Sequence, residues 1–190
     1  MFQSTIINQI LSKTDKIRSI QLSGSATMDF LESNDYDVFV IVDPSTGEDE
    51  LLRLNSDMEE LEEDGKPIIC HFFTELPIHR HMTFYAYLDR FRKTLYGDDL
   101  PVVSDIFERK DEYLEALRKA VAHLKKFPKA HKILYHVLIG AFMLKNGSYD
   151  LTADQIEIVR KAHGKDDGSY EMNLELAESL IKELGSGAGE

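Results

Sequence analysis

Ile6, Ile7, Ile10 and Leu11 recur at helical spacing and predict an amphipathic first helix over residues 3–13. The stretch that follows, "IRSIQLSGS", sets Ile20 and Leu22 on one face of a short strand that ends in a Gly-Ser turn at residues 24–25. "DYDVFVIV" (35–42) carries an unbroken apolar run and predicts a second strand buried on both faces. After the loop "PSTGEDE", the positions of Leu51, Leu52, Leu54, Met58 and Leu61 predict an acidic helix from Glu48 to Asp64, ended by Gly65 and Pro67. "IICHFF" (68–73) predicts a third strand, followed by a helix from Ile78 to Lys93 and the turn "LYGDDLP".

Beyond residue 107 the strand-like runs stop. Tyr113, Leu114, Leu117, Val121 and Leu124 mark one helix, and Pro128 suits the first position of the next, which ends at Gly147. Thr152 and Gln155 have capping-box spacing ahead of a helix that ends at Gly164, and a last helix covers 170–184. The pattern therefore predicts a mixed α/β domain over 1–107, a helical domain over 108–184, and a disordered tail, "GSGAGE", at 185–190.

Composition narrows the classes. With 22 Lys and Arg against 34 Asp and Glu, the net charge of −12 argues against general nucleic-acid binding, which needs cations against phosphates. It suits a cationic acceptor, and the acidic helix, with nine Asp or Glu and Arg53 alone against them, is a solvated surface or a rim that attracts one. Cys70, in an apolar strand, reads as core and has no partner for a disulfide. The N-terminus has no signal-peptide pattern, and the apolar stretch 133–144 is too short for a bilayer, so a cytoplasmic protein without membrane contact is expected.

Candidate chemistry concentrates in residues 22–42. Gly24 permits a close backbone approach, and Ser25 adds a hydroxyl to a turn of the kind that accepts phosphate oxygens. Asp35 and Asp37, two apart, project from one face, and a hard divalent cation such as Mg²⁺ relieves their mutual repulsion. His79 and His81 would point to different faces of a helix and make poor joint ligands; Arg90, Arg92 and Lys93 read as a solvated rim, with contact to phosphate as the alternative. Tyr135 and His136 read as a packed core pair. Lys125, Lys126, Lys129 and Lys132 form the one basic stretch of the chain.

Gly24-Ser25, nine residues, then Asp35-Tyr36-Asp37-Val38 running into an apolar strand resembles the signature of the DNA polymerase beta-like nucleotidyltransferases, above all the small stand-alone and aminoglycoside-modifying types. "LYGDDL" (95–100) resembles a second, weaker motif near the end of their catalytic domain. The resemblance implies an α+β fold, a mixed sheet with flanking helices followed by a helical bundle. It implies Gly24 and Ser25 as nucleotide-binding residues and Asp35 and Asp37 as ligands of one or two Mg²⁺ ions. From the basic stretch itself, Lys125 or Lys129 holds the triphosphate if the Pro128 corner faces the Asp pair, and otherwise these lysines complement a helix end. The activity implied is transfer of a nucleoside monophosphate from an NTP to a small-molecule or protein acceptor. One departure stands out: the strand that supplies a third carboxylate in such enzymes reads "PIICHFFTE", with His71 nearest by pattern and Glu75 past its end. His71 ligates a softer metal, serves as a general base, or marks a catalytically inactive module that senses nucleotide or pairs with another protein, as an antitoxin does. A homo-oligomer stays open.

Overall fold

The computed structural model describes residues 4–56, 61–76, 83–102, 105–127, 130–164 and 169–186. It divides into two compact units, Met1–Pro77 with Leu88–Val103 and Ile78–Tyr87 with Ser104–Glu190.

The first unit is built on a five-stranded sheet of order β3-β4-β2-β1-β5. Its strands are β1 (Ile17–Ser23), β2 (Tyr36–Val42), β3 (Leu61–Glu63), β4 (Lys66–Phe73) and β5 (Lys93–Gly97). β1 runs antiparallel to β2 and β5, β2 parallel to β4, and β3 antiparallel to β4. Alternation decides the faces. Ile20 and Leu22, Val38, Val40 and Val42, and Ile68, Cys70 and Phe72 form one buried core with Ile6 and Ile10 of α1 (Ser4–Leu11) and Leu54 of α2 (Glu48–Ser56). Burial pushes the Cys70 thiol up to about 12, as befits a core residue. β2 is buried from Val38 to Val42, as its sequence predicts.

Two expectations for this unit fail. The acidic helix ends at Ser56, and residues 61–63 are strand β3. The cause is Asp64-Gly65, both at positive φ (53° and 75°) between the paired Glu63 and Lys66, which makes a tight hairpin turn where the sequence suggested a helix end. β3 is short, and beyond it Asn55 of α2 covers the outer edge of β4. Its side chain donates to the Phe72 carbonyl at 3.1 Å and accepts from the Phe72 N–H at 2.9 Å. The second failure is at 93–97, which pairs with β1 as an edge strand instead of turning, behind a 3-10 helix at Thr83–Arg90. His79, His81, Pro128 and Lys129 lie outside the described residues.

The second unit packs α3 (Lys110–Lys126), α5 (Ala153–His163) and α6 (Tyr170–Ser186) around α4 (His131–Asn146). α4 is buried on every side from Leu134 to Leu144, which is why its sequence is apolar all round. The Thr152–Gln155 capping box forms, and α6 runs to Ser186, two residues into the stretch expected to be tail. Among the described residues no helix is long and apolar enough to cross a membrane.

His136 sits inside this bundle with its Nδ1 against the Tyr87 hydroxyl and its ring 4.1 Å from that of Tyr135, the packed pair expected. Burial, helped by Lys132 and His163, holds its pKa well below the ordinary value. The unfolded chain therefore takes up a proton below about pH 6.5 that the folded protein does not, so stability falls as pH drops. Urea unfolding between pH 7 and pH 5 should lose up to about 1.4 kcal/mol per pH unit through this group. The slope should flatten in His136→Phe, even though that variant is less stable overall; an unchanged slope would remove His136 from the account.

Candidate active site

The antiparallel register of β1 and β2 sets Ser23 directly opposite Asp37. The chain leaves β1 at Ser23 into a 3-10 turn, Gly24–Thr27, so the Gly-Ser turn lies beside the entrance of β2. Gly24 has φ +72°, and a Cβ placed on it would lie 2.4 Å from Asp37 Oδ2. No other residue fits there without moving the carboxylate. Inside the turn, Thr27 Oγ1 donates to the Gly24 carbonyl at 2.8 Å and the Met28 N–H to the Ser25 carbonyl at 3.1 Å. Ser25 is buried within it. Asp35 stands one residue before β2, half-buried like Asp37, and the Ser33 hydroxyl donates to its carbonyl. The sequence-predicted Gly24, Ser25, Asp35 and Asp37 thus fall in one neighbourhood.

The parallel β2–β4 register pairs Asp37 with Ile69 and Phe39 with His71. The residue beside Asp37 is therefore an isoleucine, 37% exposed, and His71 follows two residues along the same face, its ring 6.1 Å from that of Phe73. Lys125 belongs to the helical unit and pairs with Glu178 of α6 at 2.7 Å.

Two features escaped the sequence analysis. The expected solvated rim at 90–93 is wrong for Arg92, whose side chain is buried against Asp89 at 2.5 Å. Its guanidinium also donates to Gln21 Oε1 at 3.0 Å and to the Leu100 and Pro101 carbonyls, so it is consumed in holding the polar face of β1. The second is Ser23, 1% exposed, whose hydroxyl has no hydrogen-bond partner among the described residues. The alternation in "SIQLS" signals both, since Ser19, Gln21 and Ser23 share the face opposite Ile20 and Leu22. In the helical unit, a groove of about 650 Å³ lies between Phe84, Tyr85 and one side of α3. Its carboxylates already have cations: Glu112 meets Arg109 at 2.5 Å, and Glu115 meets Arg118 and Lys119.

The donor set fits Mg²⁺ bound with a nucleotide better than Mg²⁺ in a protein cage. Among the described residues no three Asp, Glu, His or Cys converge. Mg²⁺ keeps waters and typically takes one or two carboxylates plus substrate phosphates, which is what Asp35 and Asp37 beside a glycine-lined turn offer.

Comparison with known proteins bears on the fold that carries these residues. Residues 5–96 match the family model described as "Nucleotidyltransferase domain". Among solved structures, the chain is similar to spectinomycin adenyltransferase AAD(9) from Enterococcus faecialis, determined with ATP and spectinomycin. The two are 9% identical with a TM-score of 0.58 over 94% of this chain and 97% of that one, a likeness of fold. No curated protein matches the chain. Residues 5–96 thus resemble a nucleotidyltransferase domain, and the fold is like that of the adenyltransferase.

The contact between Gly24 and Asp37 has a measurable cost. Gly65 also has positive φ, but a Cβ there meets nothing within 4 Å, so Gly65→Ala carries only the backbone term of about 1 kcal/mol. Gly24→Ala should lose at least about 1 kcal/mol more in urea unfolding, since it also overpacks against Asp37. Most of that excess should vanish in an Asp37→Ala background. Equal losses at the two glycines would mean the turn and the carboxylate are not in contact.

Proposed function

We propose that this chain transfers a nucleoside monophosphate from an NTP to a small-molecule or protein acceptor, with release of pyrophosphate. The observation that carries it is the packing of the Gly24 turn against the Asp37 carboxylate, which supports reading the one as a phosphate-accepting turn and the other as a metal ligand. Gly24 and Ser25 hold the triphosphate, and Asp35 and Asp37 hold one or two Mg²⁺. The cation, when bound, neutralises phosphate charge and lowers the cost of attack at phosphorus. His71, further along the same face, takes the acceptor's proton. The ATP and spectinomycin held by the similar adenyltransferase support an NTP and a small acceptor, and the net charge of −12 favours a cationic one.

A second reading draws on Ile69. An apolar residue beside Asp37, where a base would be most useful, suits a module that binds nucleotide without turning it over.

Thermal unfolding with each NTP, with and without Mg²⁺, tests the site. At a hundredfold excess over Kd the favoured nucleotide should add about 2.7 kcal/mol with Mg²⁺ present. The gain should vanish in Asp35→Asn/Asp37→Asn; full retention there refutes the assignment. Pyrophosphate release then separates the two readings. The enzyme releases it and slows about 100-fold in His71→Ala with binding unchanged, whereas the module binds and releases none.

A further inference from the structure

Ser19, Gln21 and Ser23 lie on one face of β1 and all are buried, yet they are not alike. The Ser19 hydroxyl donates to the Asp98 carbonyl at 2.7 Å, and Gln21 Nε2 donates to the same carbonyl at 3.2 Å. Ser23 Oγ is bonded to nothing among the described residues. An unpaired buried hydroxyl is a cost that an alanine would avoid, so a purely structural position would not favour serine. Ser23 also directly precedes Gly24 and faces Asp37 across the ladder, where side chains of opposed residues lie within reach of each other.

The geometry points to Ser23 as a positioning residue for Asp37: when a divalent cation and phosphates draw one carboxylate oxygen toward them, the Ser23 hydroxyl donates to the other and fixes the carboxylate's orientation. This rests on the metal–nucleotide reading of the Gly24 turn. It deepens that reading by adding a residue that neither touches phosphate nor ligates the cation. Such hydrogen bonds to a ligating carboxylate set its angle, and their loss typically weakens metal binding without abolishing it.

The test is Mn²⁺ binding in the presence of tripolyphosphate, a base-free probe, followed by water-proton relaxation. Wild type, Asp37→Asn, Ser23→Ala and Ser23→Thr are compared, with thermal unfolding of each ligand-free protein alongside. Ser23→Ala should bind Mn²⁺ about 10-fold more weakly, with no loss of ligand-free stability. Ser23→Thr, which keeps the hydroxyl, should stay near wild type, and Asp37→Asn should fall furthest. Three results would overturn the inference. If Ser23→Ala binds like wild type while Asp37→Asn does not, Ser23 has no positioning role and the metal site stands. If Ser23→Ala is destabilised without ligand, its hydroxyl already serves the fold. If wild type itself shows no tripolyphosphate-dependent Mn²⁺ binding, the underlying site falls with it.

Discussion

The closure of the Gly24 turn onto Asp37 is the constraint on which the rest of the site depends. It exists because β1 and β2 are antiparallel neighbours in a register that sets Ser23 against Asp37, and that register is held by apolar alternation. A shift of one residue would turn Val38, Val40 and Val42 out of the core and Asp37 into it, at a cost no carboxylate could recover. The hydrophobic core and the candidate site are thus two faces of one strand pair. The polar face is held as firmly as the apolar one: Arg92, buried and fully engaged, ties Gln21 to Asp89 and to the chain after β5.

This coupling explains what the sequence could and could not convey. Gly24, Ser25, Asp35 and Asp37 could be picked out as candidates because they lie within one short stretch, and pairing its two neighbouring strands brings the turn beside Asp37. The helical unit was equally legible, since helices are written in i, i+3 and i+4 patterns that need no distant partner. His71 was harder. Which residue of β4 lies beside Asp37 is a matter of inter-strand register, which no local pattern encodes, and the register selects Ile69.

The misreadings of local structure have the same origin. Residues 61–63 carry acidic and apolar residues at a spacing that fits a helix, and only the left-handed pair Asp64-Gly65 distinguishes the hairpin. Strand β5 is exposed and short, so it has little alternation to detect, and its existence depends on β1 offering an edge. Arg92 reads as a surface charge until Gln21 and Asp89 are known to surround it. In each case a non-local contact overrode a sound local expectation.

The most direct test of the central claim is paramagnetic broadening of amide resonances by Mn²⁺ added with the favoured nucleotide. The account predicts that Ser23 to Ser25 and Asp35 to Asp37 broaden first and together, because one cation lies beside both segments. Broadening confined to the acidic first turn of α2, Glu48 to Glu50, with the Gly-Ser turn untouched, would contradict it and leave the turn and the aspartates as neighbours without a shared ligand.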